Sequence, residues 1–214
     1  MTMSITEKYG FQVSINQFHQ PVDKNWWDES EQLLINCFEQ ACLELKQTNR
    51  CNYAMIELGS NQCYYSLLFK HILGKRNTTN IMVEPYKPHF EAGKTQFELN
   101  RCNGRFYNNS IGKLWAAYQT TFDVEPIMLN KILQEQGISK VDIIQCDIDG
   151  SEQCMLDTNL NFFINKRTKY LFLATHSTEL HNYCKTFLEN VDYKVIMDHP
   201  YNDVGGDMLI IAQC

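Results

Sequence analysis

From residue 53 onward, short apolar runs alternate with amphipathic segments, and this rhythm constrains the fold more than any other feature of the sequence. Residues 53–58 read as a strand, 64–73 as a helix, 80–84 as a strand and 89–100 as a helix, with 105–107 as a third strand. Residues 126–136 read as a helix with Pro126 in its first turn and Gly137 just past its end. Residues 141–146 form a buried strand, 152–160 a helix, 169–174 a strand and 179–190 a helix. Residues 194–197 and 207–212 then close the chain as two strands with no helix between them. Alternating units of this kind predict an α/β fold, a mostly parallel doubly wound sheet with helices on both faces. The last pair predicts an antiparallel C-terminal hairpin at one edge. Such sheets bind ligands outside the carboxyl ends of their strands, so the strand ends are where chemistry is expected.

Residues 1–50 read as an N-terminal extension with one amphipathic helix, and 51–214 as the main domain. Within 28–46, Leu33, Cys37, Ala41 and Leu45 form one i, i+4 row, and Leu34, Phe38 and Cys42 form the next. Asp28, Glu29 and Glu31 suit the positive end of that helix. The helix is also the candidate surface for a homodimer, and Trp26 and Trp27 ahead of it read as a packing anchor. With 25 Asp+Glu against 19 Lys+Arg the net charge is −6, which argues against a nucleic-acid partner. No apolar run approaches the roughly 20 residues of a bilayer span, and the N-terminus lacks the build of a signal peptide. Nine irregularly spaced cysteines without a Cys-x-x-Cys pair are expected to be reduced thiols, as in a cytoplasmic protein.

Four strand ends carry polar residues that a core does not need. In Ile56-Glu57-Leu58-Gly59-Ser60-Asn61 a strand meets a helix through a glycine turn, which brings backbone N–H groups close to a ligand. Glu84 ends the next strand, where a carboxylate can accept both hydroxyls of a ribose. The stretch Gln145-Cys146-Asp147-Ile148-Asp149-Gly150-Ser151-Glu152 gathers three carboxylates that repel unless a cation, a donor or a proton relieves them. A catalytic base, a divalent-metal site and a polar helix cap all satisfy that demand. Asp147 lies nearest the strand, whereas Asp149 and Glu152 suit the start of a helix. His176 ends another buried strand. The pairing of His176 with Glu179 and His181 matches neither common zinc-protease motif, so zinc is not expected there.

In these segments the chain resembles the FkbM-type S-adenosylmethionine-dependent methyltransferases. The resemblance is carried by Glu57-Leu58-Gly59-Ser60-Asn61 with Tyr64-Tyr65-Ser66, by Val83-Glu84-Pro85, and by Asp147-Ile148-Asp149-Gly150-Ser151-Glu152. Thr175-His176, Asn109-Ser110-Ile111-Gly112 and Gly206-Asp207 extend it over about residues 53–214. It implies a Rossmann-like class I methyltransferase sheet of seven strands. It also implies S-adenosylmethionine as cofactor, with Gly59 and Asn61 cradling its methionine end, Glu57 near its ammonium, Glu84 holding its ribose, Ser110 near the adenine, and Asp147 also among the cofactor-binding residues. Asp147 and His176 would face the acceptor, a hydroxyl of a sugar, glycan or other small molecule, and one of them would take its proton. Alternatively, a divalent metal such as Mg held by Asp147 would lower the hydroxyl's pKa. The chain departs from the family at Cys63, where a glycine is usual, at Asp149, where Glu is usual, and at Gln145, where Lys is common. Two competing readings remain open at this level. One is a nucleotide-dependent oxidoreductase, which shares the turn and the ribose acid; the other is a non-catalytic relative that binds a partner. Acceptor contacts are expected from variable stretches that include Trp115, Tyr118 and Tyr201.

Overall fold

In the computed structural model, residues 8–12, 29–111, 123–200 and 208–214 are described. Trp26, Trp27, Gly112, Trp115, Tyr118, Tyr201, Gly206 and Asp207 lie outside these residues. Helix α1 (Glu29–Gln47) leads into β1 (Tyr53–Leu58), α2 (Tyr64–Leu73), β2 (Thr78–Val83), α3 (Lys87–Leu99) and β3 (Arg105–Tyr107). Two short strands follow, β4 (Ser110–Ile111) and β5 (Pro126–Ile127), then α4 (Leu129–Gln136) and β6 (Val141–Cys146). The chain closes with α5 (Glu152–Thr158), α6 (Leu160–Ile164), β7 (Thr168–Thr175), α7 (Thr178–Asn190), β8 (Lys194–His199) and β9 (Met208–Gln213).

Seven strands form one sheet in the order β3-β2-β1-β6-β7-β9-β8. All neighbours are parallel except β9, which runs antiparallel to both β7 and β8. The antiparallel hairpin is therefore present, with its second strand on the inside. Composition explains that order. Met208-Leu209-Ile210-Ile211-Ala212 is buried throughout and suits a strand with neighbours on both sides, whereas β8 alternates exposed and half-buried residues as an edge does.

Along each central strand, successive side chains enter opposite layers. Met55, Ile143, Phe172 and Ile211 face α1, α2 and α3, while Ile56, Ile144, Leu171 and Ile210 face α4, α5, α6 and α7. Leu34, Phe38, Cys42 and Leu45 of α1 are buried in the first layer, where Phe38 meets the rings of Tyr65 and Phe172 at 5.1 and 5.3 Å. Burying a side chain of that size contributes roughly 2 kcal/mol.

Two elements differ from the expectation for helices at 126–136 and 152–160. Pro126 and Ile127 pair with Ser110 and Ile111 as a two-stranded ribbon, so the helix starts only at Leu129. Proline is tolerated there because a short edge strand does not need its N–H. The helix at 152 stops at Thr158, and Asn159 separates it from α6 while its Oδ1 accepts the Leu129 N–H at 2.9 Å. No helix among the described residues is long and apolar enough to cross a membrane, and the cysteines are free thiols.

Candidate active site

The strand order reverses direction between β1 and β6, and a cleft of about 260 Å³ opens at the carboxyl ends there. Gly59, Asn61, Glu84, Ser110, Asp147 and Asp149 all line it. The strand ends are sewn together by the Asp147 N–H donating to Leu58 O at 3.1 Å and the Gly59 N–H donating to Val83 O at 3.0 Å. Only glycine fits at position 59. Its φ is +69°, and a Cβ there would lie 1.7 Å from the Asp147 carbonyl oxygen.

The two glutamates of this half have different duties. Glu84 is buried at the cleft wall, where Oε2 accepts the Asn61 N–H at 2.9 Å and Oε1 the Tyr86 N–H at 2.8 Å. Each oxygen therefore keeps a lone pair for a further donor. Burial pushes this carboxyl above the ordinary carboxylate range, against the pull of the two N–H groups. Glu57 does not line the cleft. Its oxygens accept the N–H groups of Tyr65 and Ser66 at 3.2 and 3.0 Å, so it caps the start of α2. Burial pushes its carboxyl up to about 7. Cys63, just before α2, has φ +63°, a left-handed backbone that explains why glycine suits this position. Its thiol turns toward α3, with Sγ 2.5 Å from where a Cβ on Gly93 would sit, so it takes no room from the cleft.

At the other end, β7 lies beside β6 and brings His176 to the acidic turn. His176 Nε2 is 3.2 Å from Asp147 Oδ1 and 3.5 Å from Glu152 Oε1. Glu152 is fully buried; its Oε1 accepts the Ile148 N–H at 3.0 Å, and its Oε2 has no hydrogen-bond partner. Gln145 Oε1 is likewise buried without a partner. One donor atom each from Asp147, Asp149 and His176 lies within 4.8 Å of the others. Asp149 and Glu152 are thus more than helix-start acids, since one lines the cleft and the other backs His176 from inside. His181 goes elsewhere. It is buried between Thr175 Oγ1 at 2.9 Å and Asp198 Oδ1 at 2.8 Å, and it ties α7 to β7 and β8. Tyr86 and His89 also line the cleft, their rings edge to face at 4.8 Å. Their position within four residues of Glu84-Pro85 is the sequence signal for them.

No protein-family model matches the sequence, and no curated protein is similar to it in sequence. Solved structures are similar in fold. The METTL16 MTase domain superposes with a TM-score of 0.65 at 14% identity, over 98% of this chain and 75% of that one. The human methyltransferase 10 domain containing protein gives 0.62 at 13% identity, over 98% and 90%. The precorrin-6y C5,15-methyltransferase from Geobacter metallireducens gives 0.54 at 10% identity, over 96% and 94%. With the strand order and the inserted antiparallel β9, these likenesses define a Rossmann-like class I methyltransferase fold.

Proposed function

We propose that the protein is an S-adenosylmethionine-dependent O-methyltransferase of the FkbM type, acting on a hydroxyl of a sugar, glycan or other small molecule. The observation that carries this reading is Glu84. A buried carboxylate at the end of β2, with each oxygen held by one N–H and turned to the cleft, suits the two hydroxyls of a ribose. Gly59 and Asn61 then lie against the methionine end, and buried Ser110 lines the adenine side. Glu57 acts indirectly by fixing the start of α2. The cofactor supplies an electrophilic methyl whose sulfur keeps the bonding electron pair as the methyl leaves. The acceptor oxygen must lose its proton as it gains the methyl, and we assign that proton to Asp147, which lines the cleft, with His176 3.2 Å from it.

The reading takes a small molecule or saccharide as partner rather than nucleic acid or membrane, in keeping with the net charge of −6 and the carboxylates at the cleft. Calorimetry with S-adenosylmethionine and S-adenosylhomocysteine tests it directly. Saturable binding of both is expected, with a loss of about 100-fold or more in Glu84→Ala, which removes both ribose hydrogen bonds. Absence of heat with either compound, or binding of NADH in their place, overturns the assignment.

A further inference from the structure

Residues 8–12 lie as a strap across the first layer, outside the stretch that carries the family resemblance. Lys8 Nζ and the Tyr9 hydroxyl both donate to Glu39 Oε1 of α1. Phe11 is buried, its ring 5.6 Å from that of Tyr64 and 5.2 Å from that of His71, near the two ends of α2. Asn100, at the end of α3, grips the backbone of Gln12 on both sides. Its Oδ1 accepts the Gln12 N–H and its Nδ2 donates to the Gln12 carbonyl, each at 2.7 Å. Lys75 Nζ in turn donates to the Asn100 carbonyl at 2.6 Å. The residue beneath Phe11 is poorly placed to carry charge. His71 Nδ1 lies 2.8 Å from the Leu67 carbonyl oxygen, which can only accept, so Nδ1 holds the proton of the neutral ring. Nε2 is buried and has no hydrogen-bond partner among the described residues. A second proton there would make a buried donor with nothing to accept it.

We propose that residues 8–12 are a proton-sensitive strap: the neutral His71 ring seats Phe11, and protonation of that ring lifts the strap from α2. A proton taken from water binds Nε2, and lifting the strap lets water accept its hydrogen bond. The charges that act on the ring are cations. Lys70 lies on the same helix, with Nζ 3.2 Å from both Thr78 O and Thr78 Oγ1 at the start of β2, and Lys75 lies in the turn between them. The Cys102 thiol beyond α3 acts on those two lysines. Burial, then the charges of Lys75 and Lys70, hold the ring below the ordinary 6.5, against the pull of the Leu67 carbonyl. Stacking of a charged ring on Phe11 offsets only part of this. The seated ring binds its proton less tightly than a free one. Seating is therefore full above about pH 6.5 and weakens as pH falls below it. Glu39 stays ionised through that window: burial pushes its carboxyl up, but the bonds from Lys8 and Tyr9 hold it below the ordinary 4.5. Helix α2 begins just after the turn that brings Asn61 to the cleft, so a lifted strap loosens the helix behind that wall. An effect on cofactor affinity rests on the methyl-transfer reading, but the strap does not.

Amide hydrogen exchange on the full chain reads the strap through the Gln12 N–H, expressed as protection relative to an unstructured peptide. From about pH 7.5 to about pH 5 that protection should fall about threefold or more, while Ile144 in β6 keeps its own. In His71→Phe, which keeps a ring under Phe11 and cannot titrate, protection of Gln12 should stay level. No fall in wild type, an equal fall in His71→Phe, or a fall shared by Ile144 overturns the strap. The reciprocal is read by NMR of the His71 ring. It should titrate below 6.5 in wild type and move back toward 6.5 in Phe11→Ala. A His71 titration that Phe11→Ala leaves in place overturns the coupling, even where His71→Phe fails to fold. Calorimetry with S-adenosylhomocysteine at both pH values separates the two proposals. Absence of cofactor binding at either pH removes the methyl-transfer reading alone, and level protection of Gln12 in wild type removes the strap alone.

Discussion

Glu57 shows how far one residue's duty is set by its surroundings. From the sequence it is one of five acids at strand ends, and the resemblance sets it near the ammonium of the cofactor. In the fold, β1 carries it under the first turn of α2, where two backbone N–H groups take both its oxygens and burial raises its carboxyl to about 7. The consequence is a pH-dependent stability with a definite sign. The folded value lies above the ordinary 4.5, so this group's contribution is full below about 4.5 and is lost as pH rises through about 7. In chemical denaturation, wild type should lose up to about 3 kcal/mol more than Glu57→Gln between about pH 4.5 and pH 8. A constant gap between the two proteins across that range would show that the burial is not felt. Cys63 teaches the same lesson. Its place beside the glycine turn does not put its thiol in the cleft, because the backbone at φ +63° sends the thiol to Gly93.

At the scale of elements, the sequence is most legible where local pattern and burial agree. The strands at 53–58, 105–107 and 141–146 and the helix at 64–73 fall where periodicity places them. The pattern is less informative at 126–136, because the pairing of Pro126 with Ser110 is a contact between segments distant in sequence. Helix α1 lies outside the stretch that carries the family resemblance, but its apolar row is buried in the layer that covers β1, β6 and β7. We therefore propose that residues 1–50 are required for folding of the rest. Phe38→Ala should destabilise the whole protein by about 3–5 kcal/mol in a single cooperative transition. A separate early transition, with residues 51–214 still folded, would show that α1 is an independent appendage.

For the whole molecule, the reversal of strand order is what makes a cleft. β1 and β6 send their following helices to opposite faces, and the space between their ends collects Gly59, Glu84, Ser110 and Asp147 from four separate segments. A ligand that bridges those segments should stabilise them together. S-adenosylhomocysteine at about 100 times its dissociation constant is expected to add about 2.7 kcal/mol, raising the melting temperature by about 5–11 °C for a chain of this size. A melting curve that does not move with the ligand would count against the proposed cofactor site.

What this sequence determines by itself is local and periodic. The order of strands and helices, the antiparallel close, the glycine turn after β1 and the acids at strand ends all follow from hydrophobic period and backbone chemistry. Which acids share a site is a different matter, because it depends on which strands become neighbours. Only the tertiary structure sets β7 against β6, so that His176 meets Asp147 and Glu152 at 3.2 and 3.5 Å. The same packing draws Glu57 under α2 and leaves Glu84 at the cleft. Charge and burial act through space, and distance along a chain does not measure either.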